Sequence, residues 1–226
     1  MREKYADDEY STKEIAYNRL AAQWMEKETG FGSIYAEGGI NDIKTDASNL
    51  LDESKQEIFV GGGLIQKISD QMSWSVEAEY KTVDSKLEVT DTGDEEDGGA
   101  FDFIGKLFYS SSGINGTGKF AYGFYDALGE YKDYSTTAFG AKALYPLDPW
   151  VPALELSVKN KTFTNENPRI GITQADATTT YQLKIAYTLL SNLQLALGYR
   201  TKSVTSNLES AEYTASTIKF TAIYVY

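Results

Sequence analysis

Strict alternation between apolar and polar residues is the feature of this sequence that most restricts its fold. It is clearest at residues 72–83. The apolar positions there are Met72, Trp74, Val76, Ala78 and Tyr80, and the residues between them are Ser73, Ser75, Glu77, Glu79 and Lys81. Because successive side chains of a β-strand point to opposite sides, this period of two predicts a strand with one apolar and one polar face.

Ten such segments follow one another between residue 32 and residue 226. The tenth, residues 217–226, sets apolar and aromatic residues against a set that becomes more polar toward its start. The composition agrees, since 17 Tyr and 19 Gly with only 4 Pro in 226 residues favour strands and turns. We predict about ten antiparallel strands, with eight or twelve as alternatives because the second segment, which contains Gly61, Gly62 and Gly63, and the fifth, near Tyr125, are irregular.

Residues 1–31 have a different pattern. Ser11 and Glu14 fit a capping box, and Gly30 fits a helix end. Between them, one stripe at helical spacing contains Tyr17, Leu20, Ala21, Trp24 and Met25. We therefore predict a charged tail and a short amphipathic helix at 1–31, ahead of a β domain at 32–226. Such a helix packs on another surface, plugs a pore or binds a protein partner.

The connections between the predicted strands alternate in length. Tight or glycine-rich ones at 69–71, 110–118, 146–149 and 190–192 alternate with mostly longer polar ones at 41–57, 85–99, 130–134, 164–178 and 205–211. Aromatic residues stand at the ends of several apolar rows, and the last residue is aromatic. These features resemble a small β-barrel of the bacterial outer membrane. The resemblance implies an antiparallel transmembrane β-barrel in contact with lipid and lipopolysaccharide. No run approaches the 18 apolar residues of a membrane-spanning helix.

The composition excludes several classes of function. The chain has no histidine and no cysteine, so it has no Ser-His-Asp triad, no thiolate metal site and no disulfide. A net charge of −12 argues against nucleic acid as a partner. The acidic stretch at 91–97 lacks the spacing of an EF-hand loop and is read as a solvated loop, with a weak divalent-cation site as the alternative. We predict that the protein is not an enzyme and uses no cofactor and no metal.

Charged residues on the predicted polar face define the candidate site. Eight cations and five carboxylates are predicted on this face, although the chain as a whole is acidic. Either opposite charges cross-link a closed lumen, or a basic path lines a water-filled pore and favours anions. In charge pattern alone, the basic path resembles porins for acidic oligosaccharides. The predicted lumen-lining residues are Glu77, Glu79, Lys81, Lys106, Lys119, Lys142, Lys159, Lys184, Arg200 and Lys219, and the remaining inward carboxylates are Glu37, Asp102 and Glu155.

The sequence predicts a passive, porin-like channel for ions or small solutes, with small anionic solutes favoured by the lumen charge. The alternative is a closed structural barrel that anchors or binds a partner protein through its loops or its N-terminal helix. A helix that leads into a barrel also resembles autotransporter translocators.

Overall fold

The computed structural model describes residues 2–7, 10–29, 32–46, 54–85, 92, 95–111, 113–190 and 193–224, which form an all-β protein. Twelve strands of these residues make one antiparallel sheet, in which each strand pairs with the next along the chain. Within the same residues, no helix is long and apolar enough to cross a membrane. The strands are β1 (Arg2–Asp7), β2 (Tyr10–Thr29), β3 (Gly32–Asp46), β4 (Lys55–Lys67), β5 (Met72–Ser85), β6 (Gly98–Ser111), β7 (Ile114–Ala127), β8 (Tyr134–Leu144), β9 (Trp150–Phe163), β10 (Ala175–Leu190), β11 (Leu193–Ser206) and β12 (Tyr213–Tyr224), with 3-10 helices at Glu130–Lys132 and Glu209–Ala211.

A strand lies at each of the ten segments predicted from the alternation, and these strands are β3 to β12. Some connections are shorter than predicted. The one predicted at 41–57 is shortened because β3 extends to Asp46 and β4 begins at Lys55. The glycine-rich stretch at 110–118 is mostly strand, because Ser110 pairs with Asn115 and Ser111 with Ile114 across the β6–β7 hairpin. Glycine in a strand costs conformational entropy but does not prevent pairing.

The prediction of an N-terminal helix is wrong, because residues 10–29 form the long strand β2. Apolar residues four positions apart, such as Leu20 and Trp24, share a face at a period of two as well as in a helix. Leu20 pairs with Ile40 of β3 and Trp24 with Ala36, whereas Ala21 and Met25 alternate with them. The backbone hydrogen bonds with β3 outweigh the local capping signal, as tertiary context commonly outweighs propensity.

Gly39 of β3 provides a test of this correction. A Cβ atom at Gly39 would come against the backbone carbonyl oxygen of Leu20, 2.8 Å from Ala21 Cα and 2.9 Å from Phe59 Cζ. We expect Gly39→Ala to lower the free energy of unfolding by about 1–3 kcal/mol, since backbone atoms of β2 cannot move aside cheaply. Gly105→Ala is the matched control, because a Cβ there meets nothing within 4 Å. Equal effects of the two variants in urea unfolding would contradict the pairing of β2 with β3.

Every strand presents one apolar and one polar side. Directly paired residues of antiparallel neighbours point to the same side of a sheet, so the register assigns each residue to a face. Leu154 of β9 pairs with Leu183 of β10, which pairs with Tyr199 of β11. We call this side the apolar face and the opposite side the polar face. The adjacent row on the polar face contains Glu155, Gln182 and Arg200.

The polar face is the more enclosed of the two. On the apolar face, Leu20 is 76% exposed, Val60 61% and Phe139 58%. Nine side chains of the described strands are buried on the polar face and none on the apolar face, which indicates that the polar face is the concave side of the sheet. The nine side chains are Asn41, Glu57, Phe59, Ser75, Val83, Ala100, Ala186, Ala196 and Val204.

The two ends of the sheet differ in the length of their connections. From β2 onward, short connections such as 68–71 and 145–149 lie at one end, and longer ones such as 86–97 and 164–174 lie at the other. We call these the short-turn end and the long-loop end. In the β4–β5 turn, Lys67 Nζ donates a hydrogen bond to Asp70 Oδ1 at 2.7 Å, and this bond lowers the pKa of Asp70.

Candidate functional site on the polar face

All ten predicted lumen-lining residues lie on the polar face, but they form two groups. Residues of the first group are partly buried on β5 and β6, and those of the second are exposed on β7 to β12. The first group is Glu77, Glu79, Lys81 and Lys106, and the second is Lys119, Lys142, Lys159, Lys184, Arg200 and Lys219.

On β3 to β6, two carboxylates of the polar face, those of Glu57 and Glu77, are held by lysines. Lys106 Nζ donates to Glu77 Oε1 at 2.6 Å, and their side chains are 28% and 24% exposed. Glu57 is buried and lies 3.7 Å from Lys81 Nζ, and it also accepts a 3.0 Å hydrogen bond from Asn41 Nδ2. We call Asn41, Glu57, Glu77, Lys81 and Lys106 the locked side. Glu57 and Glu77 each have a cationic partner in place, so these two carboxylates attract ions from solution only weakly.

On β7 to β12, cations predominate. Lys119, Lys142, Lys159, Lys184, Arg200 and Lys219 form no salt bridge with any carboxylate of the described residues. The register adds Lys161 and Lys202 to the same face. We call these eight residues the basic arc. Its strands contribute only two carboxylates to this face, those of Glu155 and Asp176.

The boundary between the two groups runs between β6 and β7. Lys106 of β6 is paired directly with Lys119 of β7, and like charges in such positions repel each other. The hydrogen bond from Lys106 to Glu77 draws the Lys106 ammonium group toward β5. Lys119 therefore begins the basic arc, and Lys106 belongs to the locked side.

Four residues of the locked side and the basic arc were not predicted, and one of them, Asn41, lay in the predicted connection at 41–57. Lys161 and Lys202 continue the alternation beyond Lys159 and Arg200 by two residues each, so a longer strand assignment would have found them. Glu57 was left out because the facing of the second strand was ambiguous. The register resolves it, since Val60 pairs with Tyr80 on the apolar face and Glu57 with Val83 on the polar face.

Aromatic rings occupy the polar face at the long-loop end. Tyr125, Tyr134 and Phe163 are paired in one row across β7, β8 and β9. Neighbouring ring centroids are 5.2 Å and 5.8 Å apart. Lys161 Nζ lies 3.9 Å from the centre of the Tyr134 ring and 4.2 Å from that of Phe163. These cation–π contacts fix the Lys161 side chain beside the rings, at the long-loop end of the basic arc.

Hydrogen bonds join successive loops at the long-loop end. The backbone N–H of Thr164 donates to the carbonyl of Asp133 at 2.9 Å, and Asn165 Nδ2 donates to the carbonyl of Glu130 at 2.8 Å. Asn207 Nδ2 donates to the carbonyl of Thr173 at 2.8 Å. Three consecutive loops are thus held against one another around the opening of the curved sheet.

No group of three or more acidic side chains in the described part of the chain is placed to hold a metal ion. Part of the acidic loop, including Asp91 and Asp94, lies outside the described residues. The chain matches no protein-family model, and no curated protein matches it. The interpretation of the site therefore depends on the two faces of the sheet and their charges.

Proposed function

We propose that the chain is a β-barrel of the bacterial outer membrane, closed by pairing of β1 with β12, and that its basic arc conducts small anions. The observation that carries the proposal is the arc itself. Six of its cations are exposed on the polar face of the sheet, without a carboxylate partner among the described residues. A basic wall beside a low-dielectric sheet raises the local concentration of anions.

The dimensions of the apolar face support the membrane assignment. On β10, this face is apolar from Tyr181 to Leu189, which corresponds to about 27 Å along the strand. At a tilt of about 40° this becomes roughly 20 Å, close to the apolar band of an outer-membrane barrel. The face becomes polar just beyond, at Thr179 of β10 and Thr201 of β11. An exposed apolar face of this size would cause aggregation in water.

Aromatic residues border this apolar band, as they do in membrane barrels. At the long-loop border, Tyr199 donates a hydrogen bond from its hydroxyl to Ser216 Oγ at 3.2 Å. At the short-turn border, the rings of Trp150 and Tyr187 lie 4.5 Å apart. Rings with one polar edge suit the interface between lipid and water.

Closure of the sheet is supported by strand direction and curvature. Consecutive strands are antiparallel, so β1 and β12 run in opposite directions and can pair as antiparallel edges. Unpaired edges expose backbone hydrogen-bonding groups and are a liability for any sheet, and above all in lipid. Pairing of β1 with β12 removes both edges and encloses the polar face as a lumen.

The proposal is tested by single-channel recording in a planar bilayer, with a tenfold gradient of KCl. We expect steady conductance and a reversal potential that corresponds to a preference for chloride over potassium, because the arc has eight cations and two carboxylates. A preference for potassium would refute the basic arc as the conducting wall. A protein that folds into the bilayer but stays silent would favour the closed, anchoring barrel, which then binds a partner through its loops.

A further inference from the structure

One part of the basic arc combines charge with hydrogen-bond donors around a single residue, Thr180 of β10. Thr180 pairs with Ser157 of β9 on one side and with Lys202 of β11 on the other. Lys159 and Arg200 lie at diagonal positions on the same two strands. Diagonal neighbours on one face are about 7–8 Å apart, a distance that lysine and arginine side chains can reach across.

We propose that this patch, consisting of Ser157, Lys159, Thr180, Arg200 and Lys202, binds small divalent oxyanions such as hydrogen phosphate. The inference rests on the proposed function in that the same face lines the channel, but it predicts a saturable site rather than a diffuse attraction. The patch would hold an oxyanion at the wall formed by β9, β10 and β11.

The donors of the patch match the oxygen atoms of such an anion. Arginine presents a planar fork of N–H groups that suits phosphate and carboxylate oxygens. The hydroxyl groups of Ser157 and Thr180 lie between the cations and can each donate one hydrogen bond. Lys202 Nζ donates to the hydroxyl of Tyr213 on β12 at 2.5 Å, on the side away from Thr180, so Lys202 contributes its charge to the patch and not a directed donor. Chloride is spherical and does not require hydrogen-bond donors in fixed directions, so this arrangement favours oxyanions over halide.

The charge of the patch favours two negative charges on the ligand. Around Thr180 the cations are Lys159, Lys161, Arg200 and Lys202. The carboxylates are Glu155, next to Arg200 across Gln182, and Asp176, which pairs with Lys161 and lies diagonal to Lys159. The resulting excess of two positive charges is balanced by one divalent anion. Lys119 lies in a part of the arc that lacks this combination. Its paired neighbours are Lys106 and Gly140, which offer no hydroxyl group.

The experiment is calorimetric titration of inorganic phosphate at pH 8 into the full chain folded in detergent. We expect saturable binding, weakened about tenfold by Arg200→Gln or by Lys159→Gln, the loss expected for one charge-assisted hydrogen bond. Lys119→Gln removes the same charge from a position outside the patch and should change the affinity less than about twofold. Arg200→Lys keeps the charge but loses the fork, so it should give an intermediate affinity. Circular dichroism verifies that each variant is folded.

Calorimetry does not require conduction, so the two proposals can fail separately. Binding by a protein that is silent in bilayers would support the patch and refute the channel. Conduction without saturable phosphate binding would overturn the patch and leave the channel intact. Equal weakening by Lys119→Gln and Arg200→Gln would also overturn the patch, because it would mean that only the overall charge of the arc attracts phosphate.

Discussion

Replacement of Ile185 by arginine should strongly lower the stability of this protein in a lipid bilayer. Ile185 lies in the middle of the apolar stretch of β10, between Pro152 of β9 and Leu197 of β11, and its side chain is 40% exposed. If this face contacts lipid, a charge at that depth costs about 2–4 kcal/mol. That loss is a large fraction of the stability of an ordinary protein.

The matched control is Gln182→Arg, three residues away on the same strand. Gln182 lies on the polar face, opposite Glu155 and Arg200. Arginine there remains in water, so the free energy of unfolding should change by less than about 1 kcal/mol. Urea titrations of both variants in lipid vesicles, followed by tyrosine fluorescence, provide the comparison. Equal losses at the two positions would contradict a lipid-facing apolar face.

A second comparison uses two positions of one strand that lie at different distances from the middle of the apolar stretch. Leu197 and Thr201 of β11 point to the same face, but Leu197 lies inside the apolar stretch and Thr201 beyond its border. Arginine at Leu197 should therefore cost several times more stability than arginine at Thr201, because the penalty falls toward the interface. A protein whose apolar face is covered by another protein would show no such gradient. Folding of the unmodified chain in buffer without detergent would likewise refute the membrane assignment.

The alternation of residues was sufficient to predict the strands, because a period of two is a local property of the chain. It predicted the facing of Lys142, Glu155 and Arg200 for the same reason. It failed at β2, where Leu20 and Trp24 fit both periods and only the pairing with β3 decides between them. The all-β antiparallel fold was thus predictable. The ten predicted strands are β3 to β12, and the other two strands of the described sheet, β1 and β2, come from residues predicted to be a tail and a helix.

The division of the polar face into a locked side and a basic arc was not predictable, because it depends on contacts between residues far apart in sequence. From the sequence, we predicted one of two arrangements for the whole polar face: charges cross-linked in opposite pairs, or a basic path without carboxylate partners. The structure contains both, in different places. Glu77 reaches Lys106 because the register of β5 and β6 makes them diagonal neighbours, 29 residues apart along the chain. No comparable carboxylate lies within 4 Å of Lys119 among the described residues.

Removal of four cations from the basic arc should abolish the preference for anions. The variant replaces Lys119, Lys142, Lys184 and Lys219 with glutamine. It leaves four cations and two carboxylates on β7 to β12, while the carboxylates of β3 to β6 are unchanged. Since clefts of one charge sign create potentials of several kT, the permeability ratio of chloride to potassium should fall at least about fivefold. Reversal potentials in a tenfold KCl gradient measure this ratio.

The control for this variant removes one positive and one negative charge, so the net charge of the polar face stays the same. Glu77→Gln combined with Lys106→Gln deletes the 2.6 Å salt bridge of the locked side and leaves the net charge as it was. If the arc alone sets selectivity, this double variant keeps the chloride preference of the unmodified protein. The hypothesis would be wrong if the double variant shifted the reversal potential as far as the fourfold variant does, because the locked side would then share in conduction. An unchanged ratio in the fourfold variant would exclude the arc as the conducting wall, since no other described stretch of the polar face has so many cations without a carboxylate partner.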